Sequence, residues 1–259
     1  MRGHTQASDG TPLAYQVEGS GPPLVLLAGQ ANDHHWWDEV RYDFRSTHRT
    51  ITVDYRGTGD SGKPDQPYST PGFAEDVIAV LDALEIDAAD VYGTSMGGRV
   101  AQWVAINHPE RVRKLVLGCT TPGGEHAVER SAEVRRSLAQ PDPHALAGVL
   151  LDLMFSPDWL ADHDGPRTVL GDRRMPAYAM RRHLVASNEH DAWDELPKIQ
   201  VETLVLHGEE DRLTPVRNAE LLAERIPDAR LHVFPGARHA YFHEARATAS
   251  KLVTSFLGE

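Results

Sequence analysis

Short, continuous apolar runs alternate with stretches of helical periodicity through the first half of the sequence. The runs are rich in leucine and β-branched residues, and they cover Leu24–Leu27, Thr50–Val53, Ala89–Tyr92 and Lys114–Leu117. The helical stretches between and after them are residues 33–46, 71–84 and 96–107. Runs of this kind are typical of parallel strands that are buried on both faces and connected by helices. The sequence therefore predicts a doubly wound, mostly parallel α/β sheet.

This alternation stops over residues 122–195 and then resumes. The interrupted stretch contains helical pieces at 129–138, 144–153 and 176–187 but no strand-like run. Beyond it come a strand (203–206), a helix (215–225), a strand (230–234) and a final helix (245–257). We predict a helical lid of residues 122–195, inserted into a core of residues 1–121 and 196–259. Such a lid is expected over the C-terminal edge of the strands, where open α/β sheets bind ligands.

Composition excludes several classes of function. The chain of 259 residues has 38 acidic and 26 basic side chains and a formal net charge of −12, which disfavours non-specific nucleic-acid binding. No apolar run approaches the roughly 20 residues of a membrane span. The first residues show no apolar signal segment, so we expect a cytoplasmic protein without membrane association.

Metal and disulfide chemistry is not indicated either. Cys119 is the single cysteine, which excludes an intramolecular disulfide and a cysteine-based zinc site. The 14 histidines, including the pair His34 and His35, show no spacing typical of metal ligands. We therefore expect no metal and no organic cofactor, and a small molecule as the binding partner.

A candidate nucleophile lies directly after the third predicted strand of the alternating region. Gly93-Thr94-Ser95-Met96-Gly97 matches the pattern G-x-S-x-G between that strand and a helix. In such a sharp strand-to-helix turn the serine is exposed, and small neighbours let the backbone pass closely. The helix N-terminus supplies N–H donors for a developing negative charge. An ordinary serine N-cap is the alternative interpretation.

A serine nucleophile requires a histidine base and a carboxylate that orients it. The strand at 203–206 leads into a turn with three acids, Glu209, Glu210 and Asp211. The strand at 230–234 leads into a loop that contains His239. Both loops are expected at the same edge of the sheet as Ser95. The spacing alone leaves all three acids as candidates.

With these residues the chain resembles the α/β-hydrolase family over nearly all of its length except the lid. Family patterns recur in the correct order as Asp54-x-Arg56-Gly57-x-Gly59-x-Ser61, Gly208-x-x-Asp211-x-x-x-Pro215 and Gly236-x-x-His239, the last followed by Glu244. The resemblance selects Asp211 as the acid and gives the order Ser95, Asp211, His239 of this family. It implies that Ser95 attacks an acyl carbon, His239 transfers the proton and Asp211 orients the imidazole.

The resemblance also implies an oxyanion hole of two backbone N–H groups. One belongs to Met96, and the other lies in the loop after the first core strand. Relatives usually have His-Gly in that loop, whereas this chain has Ala28-Gly29, so Gln30 is the expected second donor.

Other polar and aromatic residues receive weaker assignments. Asp54 and Arg56 are interpreted as an ion pair that stabilises a loop. Four aromatic residues are candidates for the substrate pocket, although lid aromatics often form only the lid's own core: Trp36, Phe155, Trp159 and Trp193.

The leading hypothesis is a serine hydrolase that cleaves a carboxylic ester or lactone through an acyl-enzyme. Alternatives on the same scaffold are an enol-lactonase, a carbon–carbon bond hydrolase and a cofactor-free haloperoxidase or perhydrolase. A ligand-binding protein without catalysis is a further alternative, because fold and site pattern do not fix the substrate.

Overall fold

An eight-stranded sheet forms the centre of the computed structural model, which describes residues 1–259. The strands in chain order are β1 (Arg2–Gln6), β2 (Pro12–Glu18), β3 (Pro23–Leu27), β4 (Arg49–Val53), β5 (Ala89–Thr94), β6 (Val112–Gly118), β7 (Thr203–Gly208) and β8 (Ala229–Phe234). Their order across the sheet is β1-β2-β4-β3-β5-β6-β7-β8. Strands β1 and β2 form an antiparallel hairpin, and β2 also pairs antiparallel with β4. All other neighbouring strands are parallel. The predicted doubly wound, mostly parallel sheet is confirmed.

Nine α-helices connect or cover these strands. They are α1 (Thr70–Ala83), α2 (Met96–Asn107), α3 (Ala132–Leu138), α4 (Pro143–Met154), α5 (Pro157–Asp162), α6 (Ala177–Asn188), α7 (Arg217–Arg225), α8 (Tyr241–Glu244) and α9 (Arg246–Gly258). None of them combines the length and the apolar composition that a membrane span requires.

The predicted helix over 33–46 is wrong. Two short 3₁₀ helices, His34–Trp37 and Val40–Asp43, replace it. The Asp33 carboxylate accepts a hydrogen bond from the amide of His35 and so caps the start of the first of these helices. Arg41 lies in the second and bonds to the Thr50 hydroxyl and to the carbonyls of Gln16 and Thr50. Side-chain bonds within the segment and to strands outside it therefore accompany two short helices in place of one continuous helix.

Helices α3 to α6 lie in the segment predicted as a lid, and α5 is one that the periodicity did not reveal. An isolated β-bridge between Gly123 and Asp191 joins the two ends of this segment. The inserted segment also contacts the loop that follows the C-terminal end of β4, where the Asp172 carboxylate accepts a hydrogen bond from the amide of Gly59 at 2.8 Å. The exact division into core and lid stays a prediction.

The C-terminal ends of the parallel strands β3, β5, β6 and β7 lie side by side. Leu27 of β3 is in register with Gly93 of β5, and Gly118 of β6 is in register with Leu206 of β7. Every residue of β5 and β7 is buried, as expected for strands covered on both faces. The loops that leave these strands therefore meet at one edge.

His183 of α6 anchors the inserted segment to the core. Its ring is fully buried among Tyr55, Tyr68 and Phe73, with centroids 5.0–6.2 Å away. Its Nε2 bonds to the Arg56 carbonyl at 2.8 Å. Burial lowers the pKa of His183 to about 4, against the weaker opposing effect of that hydrogen bond.

This burial predicts a pH dependence of stability. In the unfolded chain the His183 imidazole binds a proton near its usual pKa of 6.5, whereas in the fold it stays neutral down to about pH 4. Unfolding between these pH values takes up a proton, so the free energy of unfolding decreases as the pH falls. His183→Gln should make that decrease shallower by up to about 1.4 kcal/mol per pH unit. Urea unfolding at a series of pH values measures it.

His144→Gln, at an exposed position on α4, is the matched control and should leave the slope as in the wild type. Equal slopes for His183→Gln and wild type would contradict the burial argument.

Candidate active site

The turn between β5 and α2 holds Ser95 in a strained backbone conformation. Its φ is 56° and its ψ is −122°, a region that costs a non-glycine residue about 1–3 kcal/mol. The amide of Ser95 donates to the Gly118 carbonyl at 2.8 Å, and the Thr120 hydroxyl donates to the Ser95 carbonyl at 2.7 Å. Its side chain makes no capping hydrogen bond to α2, which disfavours the interpretation as an ordinary N-cap.

The glycines around Ser95 are required by close backbone packing. A Cβ at Gly97 would lie 2.2 Å from the Leu27 carbonyl oxygen, and a Cβ at Gly93 would lie 2.1 Å from the Gly97 carbonyl oxygen. At Gly98 the Thr120 side chain leaves no room for a Cβ. The first turn of α2 therefore lies directly against the end of β3.

Asp211 and His239 meet at the same edge of the sheet. The Nδ1 of His239 lies 2.7 Å from Oδ2 of Asp211, and both side chains are almost completely buried. The other carboxylate oxygen, Oδ1, accepts hydrogen bonds from the amides of Leu213 and Thr214, each at 2.8 Å. Both oxygens of this carboxylate therefore have hydrogen-bond partners in fixed positions.

These contacts keep Asp211 ionised. Burial by itself raises the pKa of the Asp211 carboxyl, but the charge of His239 and hydrogen bonds from His207 and His239 outweigh it and hold the pKa well below its usual range. The sequence analysis missed His207, whose Nε2 lies 3.2 Å from Asp211 Oδ2 and 2.7 Å from the Thr214 carbonyl. Its position at the end of β7, directly before the acidic turn, is the signal that could have revealed it.

The loop that carries His239 is attached to the inserted segment. The Arg238 guanidinium bonds to Asp152 Oδ1 at 2.8 Å and to the Phe155 carbonyl at 3.3 Å. Glu244 accepts from the amides of Arg238 and Ser156 at 2.9 and 3.2 Å. The position of the His239 ring is therefore coupled to that of α4 and α5.

The two predicted oxyanion donors lie on neighbouring elements. Met96 is the first residue of α2, so its N–H has no partner one turn earlier in the helix. Gln30 follows β3, and its N–H makes no hydrogen bond within the protein. The close approach of Gly97 to Leu27 brings the start of α2 beside this loop.

A histidine from α6 stabilises the loop in which relatives usually have His-Gly. His183 Nδ1 accepts from the amide of Ala31 at 3.4 Å, while its Nε2 donates to Arg56. Ala31 has a φ of 58°, and its carbonyl accepts from the amide of Asp172 at 2.7 Å. The inserted segment thus supplies the support that the loop's own sequence lacks.

Three of the four predicted pocket aromatics belong to one run of rings. Trp36 packs on Phe242, with centroids 5.3 Å apart, and donates from Nε1 to the Thr94 hydroxyl at 2.9 Å. Phe155 stacks on Trp159 at 4.6 Å and lies 6.0 Å from the ring of His243, the residue after Phe242. This run borders the His239 loop.

Trp193 lies apart from these rings. It stacks on His126 at 4.4 Å, and the Arg225 guanidinium lies 5.0 Å from its centroid. No direct ring contact joins it to the other three predicted aromatics. That any of the four contacts substrate stays a prediction.

Asp54 and Arg56 do not pair with each other, so the interpretation as one ion pair is wrong. Asp54 bonds to the ring of His34 at 2.9 Å and to the amide of Asp60 at 3.0 Å. Arg56 forms a two-point bond to Asp76 at 2.6 and 2.7 Å. The two side chains are two positions apart at a strand end, and each stabilises a different part of the loop.

One group of three potential metal ligands occurs, formed by Asp33, His34 and His35, with ligand atoms within 4.8 Å of one another. The Arg174 guanidinium lies 3.6 Å from the Asp33 carboxylate, which weakens the attraction for a cation. Burial also raises the pKa of Asp33. The expectation that the chemistry needs no metal stays a prediction.

Comparison with known proteins agrees with this architecture. The family model described as "alpha/beta hydrolase fold" matches residues 22–245. A 2-hydroxymuconate semialdehyde hydrolase of Pseudomonas putida is 35% identical over 257 residues, covering 93% of this chain and 89% of the relative. A 3-oxoadipate enol-lactonase of Acinetobacter baylyi is 29% identical over 234 residues, covering 87% of this chain and 85% of the relative.

Among solved structures, an esterase from Exiguobacterium antarcticum superposes with a TM-score of 0.89 at 26% identity, and the match covers 100% of both chains. The family model spans most of the sequence, and the relatives are covered over most of their own length. The chain therefore belongs to the α/β-hydrolase fold family and is a hydrolase.

Proposed function

We propose that this protein hydrolyses a carboxylic ester or lactone through an acyl-enzyme on Ser95, with His239 as the base and Asp211 as its orienting acid. The observation that carries the proposal is the combination of two features at one sheet edge. Ser95 is held in a strained turn without a capping role, and a buried 2.7 Å contact joins His239 to an ionised Asp211. Strain and buried charge of this kind concentrate at catalytic sites.

In the proposed reaction the Ser95 oxygen attacks the carbonyl carbon while Nε2 of His239 takes its proton. The tetrahedral intermediate collapses, the carbon–oxygen bond to the leaving group breaks, and the alcohol departs with that proton. A water molecule then attacks the acyl-enzyme and gives its proton to His239. The acid is released, and the proton returns to Ser95. Asp211 stays ionised throughout and stabilises the imidazolium.

The amides of Gln30 and Met96 are proposed to bind the negative oxygen of both tetrahedral intermediates. Both N–H groups lack a partner in the fold, and Met96 adds the positive end of the α2 dipole. Preorganised donors of this type contribute most where the charge develops in the transition state.

The relatives' names, taken together with this site, support the proposed bond type. An esterase and an enol-lactonase occur among the similar proteins, and a semialdehyde hydrolase is the most identical of the three. Ester and lactone cleavage needs only the groups described here, namely nucleophile, base, acid and two oxyanion donors. The esterase and the enol-lactonase among the similar proteins favour it as the primary proposal over the carbon–carbon hydrolase and haloperoxidase alternatives.

The first test is the turnover of 4-nitrophenyl acetate and butyrate by the wild type and by Ser95→Ala. We expect a burst of nitrophenolate in the wild type, because acylation releases the alcohol before deacylation. Ser95→Ala should lose at least about a thousandfold in kcat. Ser255→Ala, exposed on α9, is the control and should behave as wild type. Undiminished turnover in Ser95→Ala would refute the proposed nucleophile.

A second test separates Asp211 from its acidic neighbours. Asp211→Asn removes the charge that stabilises the His239 imidazolium and should lower kcat by about 10²–10⁴-fold. Glu210→Gln changes an exposed acid in the same turn and should leave kcat near the wild-type value. The same ester kinetics measure both variants. The reverse ranking of the two variants would transfer the acid's role to Glu210.

A further inference from the structure

A polar cavity of about 150 Å³ lies between the start of α2, the loop after β6, the inserted segment and the turn that follows Asp211. This volume is well above the roughly 10–15 Å³ that one water molecule requires. Its wall includes two arginines and a histidine, which are Arg99, Arg130 and His190. The mechanism proposed above uses none of them, and the sequence analysis did not single them out.

Arg99 lies within the first two turns of α2 and has no carboxylate partner. One of its guanidinium nitrogens donates to the Ser187 carbonyl at 2.5 Å, and its Nε is shielded from solvent without any hydrogen-bond partner. Burial, followed by repulsion from Arg130, lowers the pKa of Arg99 to about 10, so the group remains charged at neutral pH.

Arg130 is the second cation of this cavity and makes no ion pair within 4.0 Å. Burial lowers the pKa of Arg130, against the attraction of neighbouring Glu129 and of the Asp211 carboxylate. The Glu129 side chain also lines the cavity, but it is 73% exposed and its ion pair within reach is with Arg135, at 3.9 Å. Glu129 therefore does not neutralise the two cations by direct contact.

His190 supplies a third donor. Its Nδ1 lies 2.9 Å from the Thr70 hydroxyl and 3.3 Å from the Trp103 indole nitrogen. The indole N–H can only donate, so Nδ1 is an acceptor and in the neutral ring the proton resides on Nε2. This Nε2 is buried and makes no hydrogen bond of good geometry, although the Thr121 backbone lies near the ring. Burial and the charge of Arg99 hold the pKa of His190 well below its usual value, which keeps the ring neutral.

Buried charges in folded proteins are normally paired, and buried donors are normally bonded. Here two half-buried cations and one N–H line the same cavity, and its one carboxylate, Glu129, is mostly exposed and forms no ion pair with either cation. A bound anion would satisfy these donors, and a planar carboxylate fits guanidinium donors in particular.

The cavity adjoins the proposed catalytic groups. The amide of Arg99 donates to the Ser95 carbonyl at 3.3 Å, and the cavity-lining Thr214 donates its amide to Asp211 at 2.8 Å. Ser95 and Asp211 do not line the cavity themselves, but each is hydrogen-bonded to a residue that does.

We propose that this cavity binds a carboxylate of the substrate, so that the preferred substrate is an ester or lactone carrying a second, ionised carboxyl group. The kinetic test of this inference rests on the proposed ester hydrolysis. The binding of an anion in the cavity does not depend on that reaction and can be measured without it. Arg99 and Arg130 are then specificity residues that contact substrate away from the reacting bond.

The kinetic test compares monomethyl esters of linear dicarboxylic acids, from succinate to suberate, with methyl esters of monocarboxylic acids of equal chain length. The readout is the ratio of kcat/KM for each charged ester to that of its neutral partner. In the wild type this ratio should peak at one chain length, because the distance from the cavity to Ser95 is fixed. Arg99→Met and Arg130→Met should each lower the peak ratio by about 10–100-fold.

The matched control is Arg136→Met, which removes an exposed arginine of α3 outside the cavity. It should leave the ratio unchanged. Circular dichroism checks that each variant is folded, and Arg130 offers a second route if Arg99→Met does not fold. A ratio without a peak, or one equally altered by Arg136→Met, would overturn the proposal.

A binding test keeps this inference separate from the proposed reaction. The free dicarboxylate that matches the best ester is titrated calorimetrically into Ser95→Ala and into Ser95→Ala with Arg130→Met. We expect at least about tenfold weaker binding in the double variant. Dicarboxylate binding without ester turnover in the wild type would support the cavity and contradict the hydrolase proposal. Turnover of neutral esters without dicarboxylate binding would support the hydrolase proposal and contradict the proposal for the cavity.

Discussion

The close contact between the start of α2 and the end of β3 is the constraint on which the rest of the site depends. A single added methyl group at Gly97 would meet the Leu27 carbonyl at 2.2 Å, so only glycine allows the helix to begin there. This packing forces Ser95 into its strained conformation and places the Met96 amide beside the loop that contains Gln30. The end of β6 and the loop after it offset the local strain through the hydrogen bonds of Gly118 and Thr120 with Ser95.

The site also depends on one buried charge, that of the Asp211 carboxylate. Asp211 is desolvated, yet it is ionised because two backbone amides, His207 and His239 all direct donors to it. The inserted segment in turn supports the loops at this edge, because His183 bonds to the backbone of Ala31 and of Arg56. The inserted segment that supports this edge also contributes Arg130 to the cavity proposed to bind the substrate carboxylate.

Much of the fold and the turn at Ser95 could be predicted from the sequence, because they depend on residues close to one another in the chain. The strand runs, α2 and the Ser95 turn follow from apolar periodicity and glycine spacing, which act over a few residues. The partners of Asp54 and Arg56 were not predictable, because they depend on which distant segments meet at a strand end. His183 and Arg130 are brought to this edge by tertiary packing, and no local pattern in the sequence distinguishes them from other histidines and arginines. His207 and Arg99 lie close in sequence to Asp211 and Ser95, but their burial and their partners depend on the same packing.

The most direct test of the central claim is to identify the residue that becomes acylated. The protein is incubated with a fluorophosphonate, digested, and analysed by mass spectrometry. The account predicts one phosphonylated residue, Ser95, and a stoichiometry that falls to zero in Ser95→Ala. Modification of a different residue, or full ester turnover in a protein that the reagent does not modify, would contradict it.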